Sequence, residues 1–453
     1  MRHASGGEPD WWGAELLARH PSRAVWAEGD HAVTYGLLRT QASRLRELFA
    51  AHGIRSGTTV ALQGTPSFSQ LRSTLALWSL GAQVMLIGQE IRGTELARLL
   101  DTRRPQYHVT FSGSGHGRRA FYDECEILVR RMRRGLPAAQ DHCLVHFTSG
   151  STGFAKAVGR TGPSLLAELD VFRRIHGMPG AGARVLVLGP VTHSFSLVGG
   201  LLHNMDVGAV TVFAPRSARP AVLRTAIRSG ADTILGTIAH FTELALGDRP
   251  VRVPGLRRAV SGGDRLPDRV YARFADRYGV RIGQAYGTTE SGIVAADPTG
   301  WYGPGSVGPV VPGRRVRLIG EELQVRLEHT PYLSEEPPPA RFVADGAPDG
   351  PGWLCTRDRA AFDPAGGALR ILGRIDPAAD RSDRVHGLDR LLPADRTAGR
   401  ALTRSGRPRS CPPATAARAG PRHTTGRAFR PDPARSGRKA LGRSATHALR
   451  YTT

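Results

Sequence analysis

Of the 62 lysine and arginine residues in this chain only two are lysines, and one of them, Lys156, closes the segment Thr148-Ser149-Gly150-Ser151-Thr152-Gly153-Phe154-Ala155-Lys156. Glycines set among hydroxyl residues leave backbone N–H groups open to close approach by phosphate oxygens. The hydroxyls add further donors, and Lys156 adds a positive charge. The spacing G-x-x-x-x-G-K-[ST] is not met, so this is not a Walker loop. A second segment, Gln284-Ala285-Tyr286-Gly287-Thr288-Thr289-Glu290, sets an aromatic ring and a carboxylate four residues apart. Further candidates are the paired glycines Gly262 and Gly263, Asp358 in Thr356-Arg357-Asp358-Arg359, Arg374 and Asp376 in Gly373-Arg374-Ile375-Asp376, and His193 in Thr192-His193-Ser194-Phe195.

The elements that must position these groups are short β-branched runs alternating with amphipathic stretches from about Thr34 to Ile293. Strands are expected at Thr58–Leu62, Val84–Ile87, Leu144–Phe147, Val185–Leu188, Val210–Phe213 and Thr233–Leu235. Each is expected to lead into a helix such as Ser69–Leu80, Pro163–Ile175 or Pro220–Arg228. That order predicts an α/β fold with parallel sheets flanked by helices, whose ligands bind beyond the carboxyl ends of the strands. After about Gly303 the period becomes two, in Arg315–Ile319 and Glu322–Leu327, which predicts a small antiparallel, barrel-like β lobe. The expected division is a core over 1–376, with α/β lobes over about 10–300 and a β-rich lobe over about 301–376, followed by a tail over 377–453. That tail holds sixteen arginines and Lys439 against five aspartates and no glutamate, with one Val, one Phe and no Ile, Met or Trp. A segment so poor in large apolar groups is expected to be disordered.

In this order the segments resemble the adenylate-forming superfamily of acyl- and aryl-CoA synthetases, adenylation domains and luciferases, whose phosphate loop reads T-S-G-[ST]-T-G-x-P-K-G. Ala155 and Ala157 replace that loop's usual proline and glycine. The resemblance covers about residues 10–376. It implies ATP and Mg²⁺ as ligands, with Thr148, Ser149, Gly150, Ser151, Thr152, Gly153 and Lys156 around the phosphates. It implies Tyr286, Gly287 and Thr288 beside the nucleotide, with Tyr286 stacked on adenine, Thr289 on the α-phosphate and Glu290 on the metal. Gly262 and Gly263 lie near the base, Asp358 binds the ribose hydroxyls, Arg374 contacts the nucleotide, and Asp376 marks an interdomain hinge. Arg357 replaces a glycine of the pattern, which predicts a locally different backbone.

His193 falls where relatives line the acid pocket. Ser194 stands where amino-acid adenylation domains carry an aspartate, and it cannot offset the burial of an ammonium group. The expected substrate is a small acyl or aryl acid without an α-amine. The expected acceptor is coenzyme A or the phosphopantetheine of an acyl-carrier protein. An amino-acid adenylation domain and an impaired nucleotide- or acyl-binding relic are the alternatives. The latter arises because the arginine-rich tail stands where relatives carry a lid domain with a second lysine, a role for which Lys439 is the candidate. No membrane span is expected, since no stretch of about 18 apolar residues occurs, and no signal peptide is expected at Met1–Trp12, which holds no apolar core. Four scattered cysteines without a C-x-x-C pair fit a reduced cytoplasm and no disulfide or zinc scaffold. With one aromatic before Tyr451, the basic tail gives no support for base stacking, so nucleic acid is not an expected partner.

Overall fold

Three sheets position the candidate residues. The computed structural model describes residues 11–113, 119–148, 156–247, 251–333, 341–347, 350–364, 367–375 and 447–449. These belong to one unit, Met1–Asp389 with Thr446–Thr453; the second unit, Arg390–Ala445, lies outside the described residues. Lys439 and Asp376 lie outside them as well, as do Ser149, Gly150, Ser151, Thr152 and Gly153.

The first sheet has seven strands. Its parallel centre runs Tyr107–Ser112, Thr59–Gly64, Gln83–Ile87 and His142–Thr148, with Glu126–Arg131 and Lys156–Thr161 antiparallel at its flanks. His447–Leu449 adds an antiparallel strand beside Glu126–Arg131. Eight strands form the second sheet. The parallel order Val25–Glu28, Val210–Val212, Arg184–Val187, Thr233–Thr237, Arg258–Gly262 and Ile282–Thr288 is bounded by antiparallel Ala32–Thr34 and Gly292–Asp297. The third sheet has five strands and is wholly antiparallel: Gly352–Phe362 lies between Glu322–Leu327 on one side and Phe342–Ala344 and Leu369–Arg374 on the other, and Val316–Ile319 pairs with the outer edge of Glu322–Leu327.

The α/β architecture and the β-rich lobe are therefore present. One expectation needs correction: the strand at Leu144–Phe147 does not lead directly into a helix. The chain doubles back as the strand Lys156–Thr161, with Thr148 facing Lys156, and only then enters the helix Gly162–Arg174. The Thr161 hydroxyl caps that helix by accepting from Ser164 N–H, and Pro163 occupies its first turn, where no N–H is required. Leu165, Leu169 and Phe172 form its buried stripe, packed into a core shared by the first two sheets with Trp26, Phe68, Trp78 and Leu144. Glu168 lies in that same stripe.

Candidate functional site

Thr289 and Glu290 occupy the tip of a tight hairpin between the strands Ile282–Thr288 and Gly292–Asp297, where Thr288 pairs with Gly292. The turn closes through hydroxyls: Ser291 N–H donates to Thr288 Oγ1 at 3.1 Å, and Thr288 N–H donates to Ser291 Oγ at 3.3 Å. The Thr288 side chain is thus engaged in shaping the turn, which leaves Thr289 and Glu290, both half-buried, to face outward from it.

Tyr286, on the strand entering this turn, donates its phenol to Asp358 Oδ2 at 2.6 Å. Arg374 donates to Asp358 Oδ1 at 2.7 Å from the neighbouring strand, where it faces Asp358 in register. Three candidate residues from two sheets thus meet at one buried carboxylate. Each carboxylate oxygen accepts more than one hydrogen bond, so Asp358 retains acceptor capacity beyond these two donors. Burial, reinforced by the Asp358 charge, pushes the Tyr286 phenol well above its ordinary pKa and keeps it a donor.

The Asp358 backbone sits on a turn unusual for its sequence. Arg357 has φ +63, the left-handed conformation that glycine adopts readily. The backbone therefore follows a glycine-compatible path although the glycine is replaced, contrary to the expectation of a different local course. Arg357 N–H donates to Glu322 Oε1 at 3.1 Å, and Ile375 N–H donates to Arg357 O at 2.9 Å, which pins the turn from both sides.

Lys156 begins the strand Lys156–Thr161, and two routes join this strand to the Glu290 hairpin. Val158 forms a bridge with Tyr332, whose phenol donates to Glu290 Oε1 at 3.4 Å. Burial, with the Glu290 charge, raises the Tyr332 pKa and so preserves this donor. In the second route Arg160 pairs with Glu168 at 2.7 Å, and Glu168 Oε1 accepts from Ile293 N–H at 2.9 Å. The strand that begins at Lys156 and the hairpin that carries Glu290 are thus joined through Tyr332 and through Glu168.

Gly262 and Gly263 differ in what they require. A Cβ on Gly262 would lie 2.7 Å from the Phe195 ring, whereas Gly263 has open space but φ +111. Phe195 opens a π-helix, Phe195–Leu202, and His193 stands just before it. Such helices are rare and recur at functional sites. His193 is open to solvent, yet the surrounding protein displaces enough water to hold its pKa below the usual imidazole value, with Glu90 opposing the shift. Behind it, His146 is buried with neither ring nitrogen hydrogen-bonded among the described residues. Burial first, then the charges of Arg160 and His193, lowers its pKa to about 3.

Among the described residues no three or more His, Cys, Asp or Glu side chains gather as a metal cage. Magnesium commonly takes only one or two protein carboxylates beside phosphate oxygens and waters, a role that half-buried Glu290 fits.

The sequence model of one family, described as AMP-binding enzyme, matches residues 14–330. The chain belongs to this family. Among curated AMP-binding relatives, the benzoate–CoA ligase of Thauera aromatica is 29% identical over 187 residues, 40% of this chain and 35% of that protein. The sulfoacetate–CoA ligase of Cupriavidus necator is 27% identical over 320 residues, 65% of this chain and 62% of its own length. The chain thus spans less than two thirds of either. The solved structure of the anthranilate CoA ligase AuaEII with anthranoyl-AMP superposes with a TM-score of 0.67 at 19% identity, over 83% of this chain and 79% of that one, which establishes a shared fold. No helix among the described residues is long and apolar enough to cross a membrane.

Sequence reasoning missed Glu168, Arg160 and Tyr332. An acid within the apolar stripe Leu165-Leu169-Phe172 was the available signal for Glu168, because a carboxylate facing a core requires a partner. Tyr332 carried no such signal.

Proposed function

We propose that this AMP-binding enzyme activates a small acyl or aryl acid lacking an α-amine, forming an acyl-adenylate that is passed to the thiol of coenzyme A or of a carrier-bound phosphopantetheine. The observation that carries the reading is the meeting of Tyr286 and Arg374 at the Asp358 carboxylate, with Tyr286 standing on the strand that leads to Glu290. Ser194, one residue past His193, gives the acid pocket no charge to balance an ammonium. The two relatives described above, both acid–CoA ligases, support the same reaction class. Three free cysteines among the described residues, Cys125, Cys143 and Cys355, support a reducing, cytoplasmic setting.

In the first step a carboxylate oxygen forms a bond to the α-phosphorus of ATP. The bond from that phosphorus to the bridging oxygen breaks, and pyrophosphate leaves with the electron pair. No proton needs to move, so the protein's contribution is orientation and charge neutralisation. Asp358 accepts from the ribose hydroxyls with its remaining lone pairs while Tyr286 and Arg374 hold it still. Lys156 and the hydroxyls of Thr148 and the segment that follows it neutralise the phosphates, and Thr289 donates toward the α-phosphate. Glu290 would hold magnesium, which when bound neutralises charge on the departing pyrophosphate. In the second step the thiol sulfur bonds to the acyl carbon, AMP leaves with the electrons of the acyl–oxygen bond, and the thiol proton passes to solvent.

Carboxylate-dependent exchange of labelled pyrophosphate into ATP, screened over aryl and short acyl acids, tests the proposal. Exchange with at least one such acid and none with α-amino acids is the expected result. Nucleotide binding without exchange for any acid would refute the enzymatic reading and identify a nucleotide-binding relic.

A further inference from the structure

Glu168 is a buried acid on a helix that carries none of the candidate site residues. Its side chain is 3% exposed, and that of its partner Arg160 is 8% exposed. One oxygen takes the Arg160 guanidinium at 2.7 Å, and the other takes the Ile293 N–H at 2.9 Å. Ile293 is held on its other side too, since Arg314 Nε donates to its carbonyl at 3.2 Å. Gly292 shows how tightly the acid is seated: it has φ +68, and a Cβ there would lie 2.5 Å from the Glu168 carboxylate. Arg160 is itself fixed, with Nε on Ser164 Oγ and Nη2 on Ser164 O, both at 3.1 Å. Desolvation lowers the pKa of Arg314, and the charge of Glu168 opposes that shift.

A buried ion pair contributes little net stability compared with apolar side chains of the same size, because desolvation consumes most of the Coulomb gain. Stability therefore does not account for this arrangement, whereas its geometry offers a reason. Arg160 is four residues beyond Lys156 on one strand, and Ile293 is three residues beyond Glu290 on the hairpin. Glu168 spans the two.

We propose that Glu168 is a positioning residue: it clamps the hairpin bearing Glu290 to the strand that begins at Lys156, and so fixes the spacing between the lysine and the acid that flank the metal–triphosphate. This rests on the adenylation reading of the site. The bond to Ile293 N–H is the working contact, and Arg160 serves to keep the buried carboxylate aimed.

Two double variants separate the clamp from the ion pair. Arg160→Met/Glu168→Gln removes both charges but keeps an oxygen for Ile293 N–H; Arg160→Met/Glu168→Leu removes both charges and the oxygen. Affinity for ATP is measured by calorimetry in Mg²⁺ and in EDTA, alongside amide hydrogen exchange at Ile293. The Gln double variant is expected to retain the wild-type ratio of the two affinities. The Leu double variant is expected to lose about tenfold in Mg²⁺ with little change in EDTA, less than the roughly hundredfold that a 1 Å misplacement can cost a rate, and its Ile293 amide exchanges faster. A purely structural role would lower both affinities together and leave their ratio unchanged, which would overturn the clamp. Should the Leu double variant not fold, Glu168→Asp, which retracts the carboxylate by one carbon and keeps its charge, reads the same ratio and the same amide. A wild-type protein that binds no ATP refutes the adenylation reading itself. A wild type with a clear Mg²⁺ dependence that the variants share overturns the clamp alone.

Discussion

Replacing Arg357 by glycine should make the protein more stable than replacing it by alanine, the reverse of the usual order. Arg357 holds φ +63 because its own N–H is bound to Glu322 and its carbonyl accepts from Ile375. Both contacts belong to the backbone or to a neighbour, so they persist in either variant and keep the turn left-handed. Alanine at such a φ carries about 1–2 kcal/mol of steric cost, which glycine avoids. Glycine's extra freedom in the unfolded chain returns about 0.5–1 kcal/mol of that. At the centres of these two ranges the glycine variant should therefore exceed the alanine variant by about 0.75 kcal/mol. At an m of about 3 kcal/mol/M this separates their urea midpoints by roughly 0.2–0.3 M. Both variants lack the arginine side chain, so its other interactions cancel in the comparison. Followed by circular dichroism at matched slopes, an alanine midpoint equal to or above that of glycine would refute the strained-turn argument, and with it the pinned geometry of Asp358.

Tyr286→Phe deprives buried Asp358 of one donor to a charged group, a loss of about 1.5–3 kcal/mol that denaturant unfolding should register. Thr288→Val removes the hydroxyl that closes the hairpin turn, which should cost about 1 kcal/mol of stability. Its ATP affinity should stay within about twofold if the hydroxyl only shapes the turn, and a larger loss by calorimetry would place Thr288 on the nucleotide. His146 is neutral in the fold, with its pKa lowered to about 3, but titrates near 6.5 once unfolded, so below 6.5 the unfolded chain binds the additional proton. Stability should therefore fall as pH drops from about 6.5 toward 3, by up to about 1.4 kcal/mol per pH unit from this group. His108, lowered to about 4 by burial and by Arg130, adds to the same slope. His146→Leu should flatten the dependence between pH 7 and 5, and an unchanged difference in urea midpoints would show that His146 does not remain neutral.

The strands of both mixed sheets were legible because β-branched runs such as Val60–Leu62 and Val185–Leu186 are buried on both faces and need no alternation. The hairpin carrying Tyr286 and Glu290 was legible as a motif because an aromatic, two threonines and an acid follow one another at a fixed spacing. The strand Lys156–Thr161 was not, since Gly159 and Arg160 interrupt any β pattern, and its pairing with His142–Thr148 depends on the loop between them. The role of Gly262 was only half legible. The lack of a side chain was apparent, but it is the Phe195 ring, 67 residues distant in sequence, that fills the vacant space. Glu168 was hidden because its partners, Arg160 and Ile293, lie on different elements and meet only after both sheets have formed.

Asp358 is grasped by a tyrosine of the eight-stranded sheet and an arginine of the five-stranded one. Its orientation is consequently a property of how those two layers are aligned and belongs to neither layer alone. A slip of either sheet by a single ladder position would turn the carboxylate away, however well folded each remained. Under the role proposed for Asp358, nucleotide recognition would be a check on correct assembly, made at the seam between two sheets rather than inside one of them.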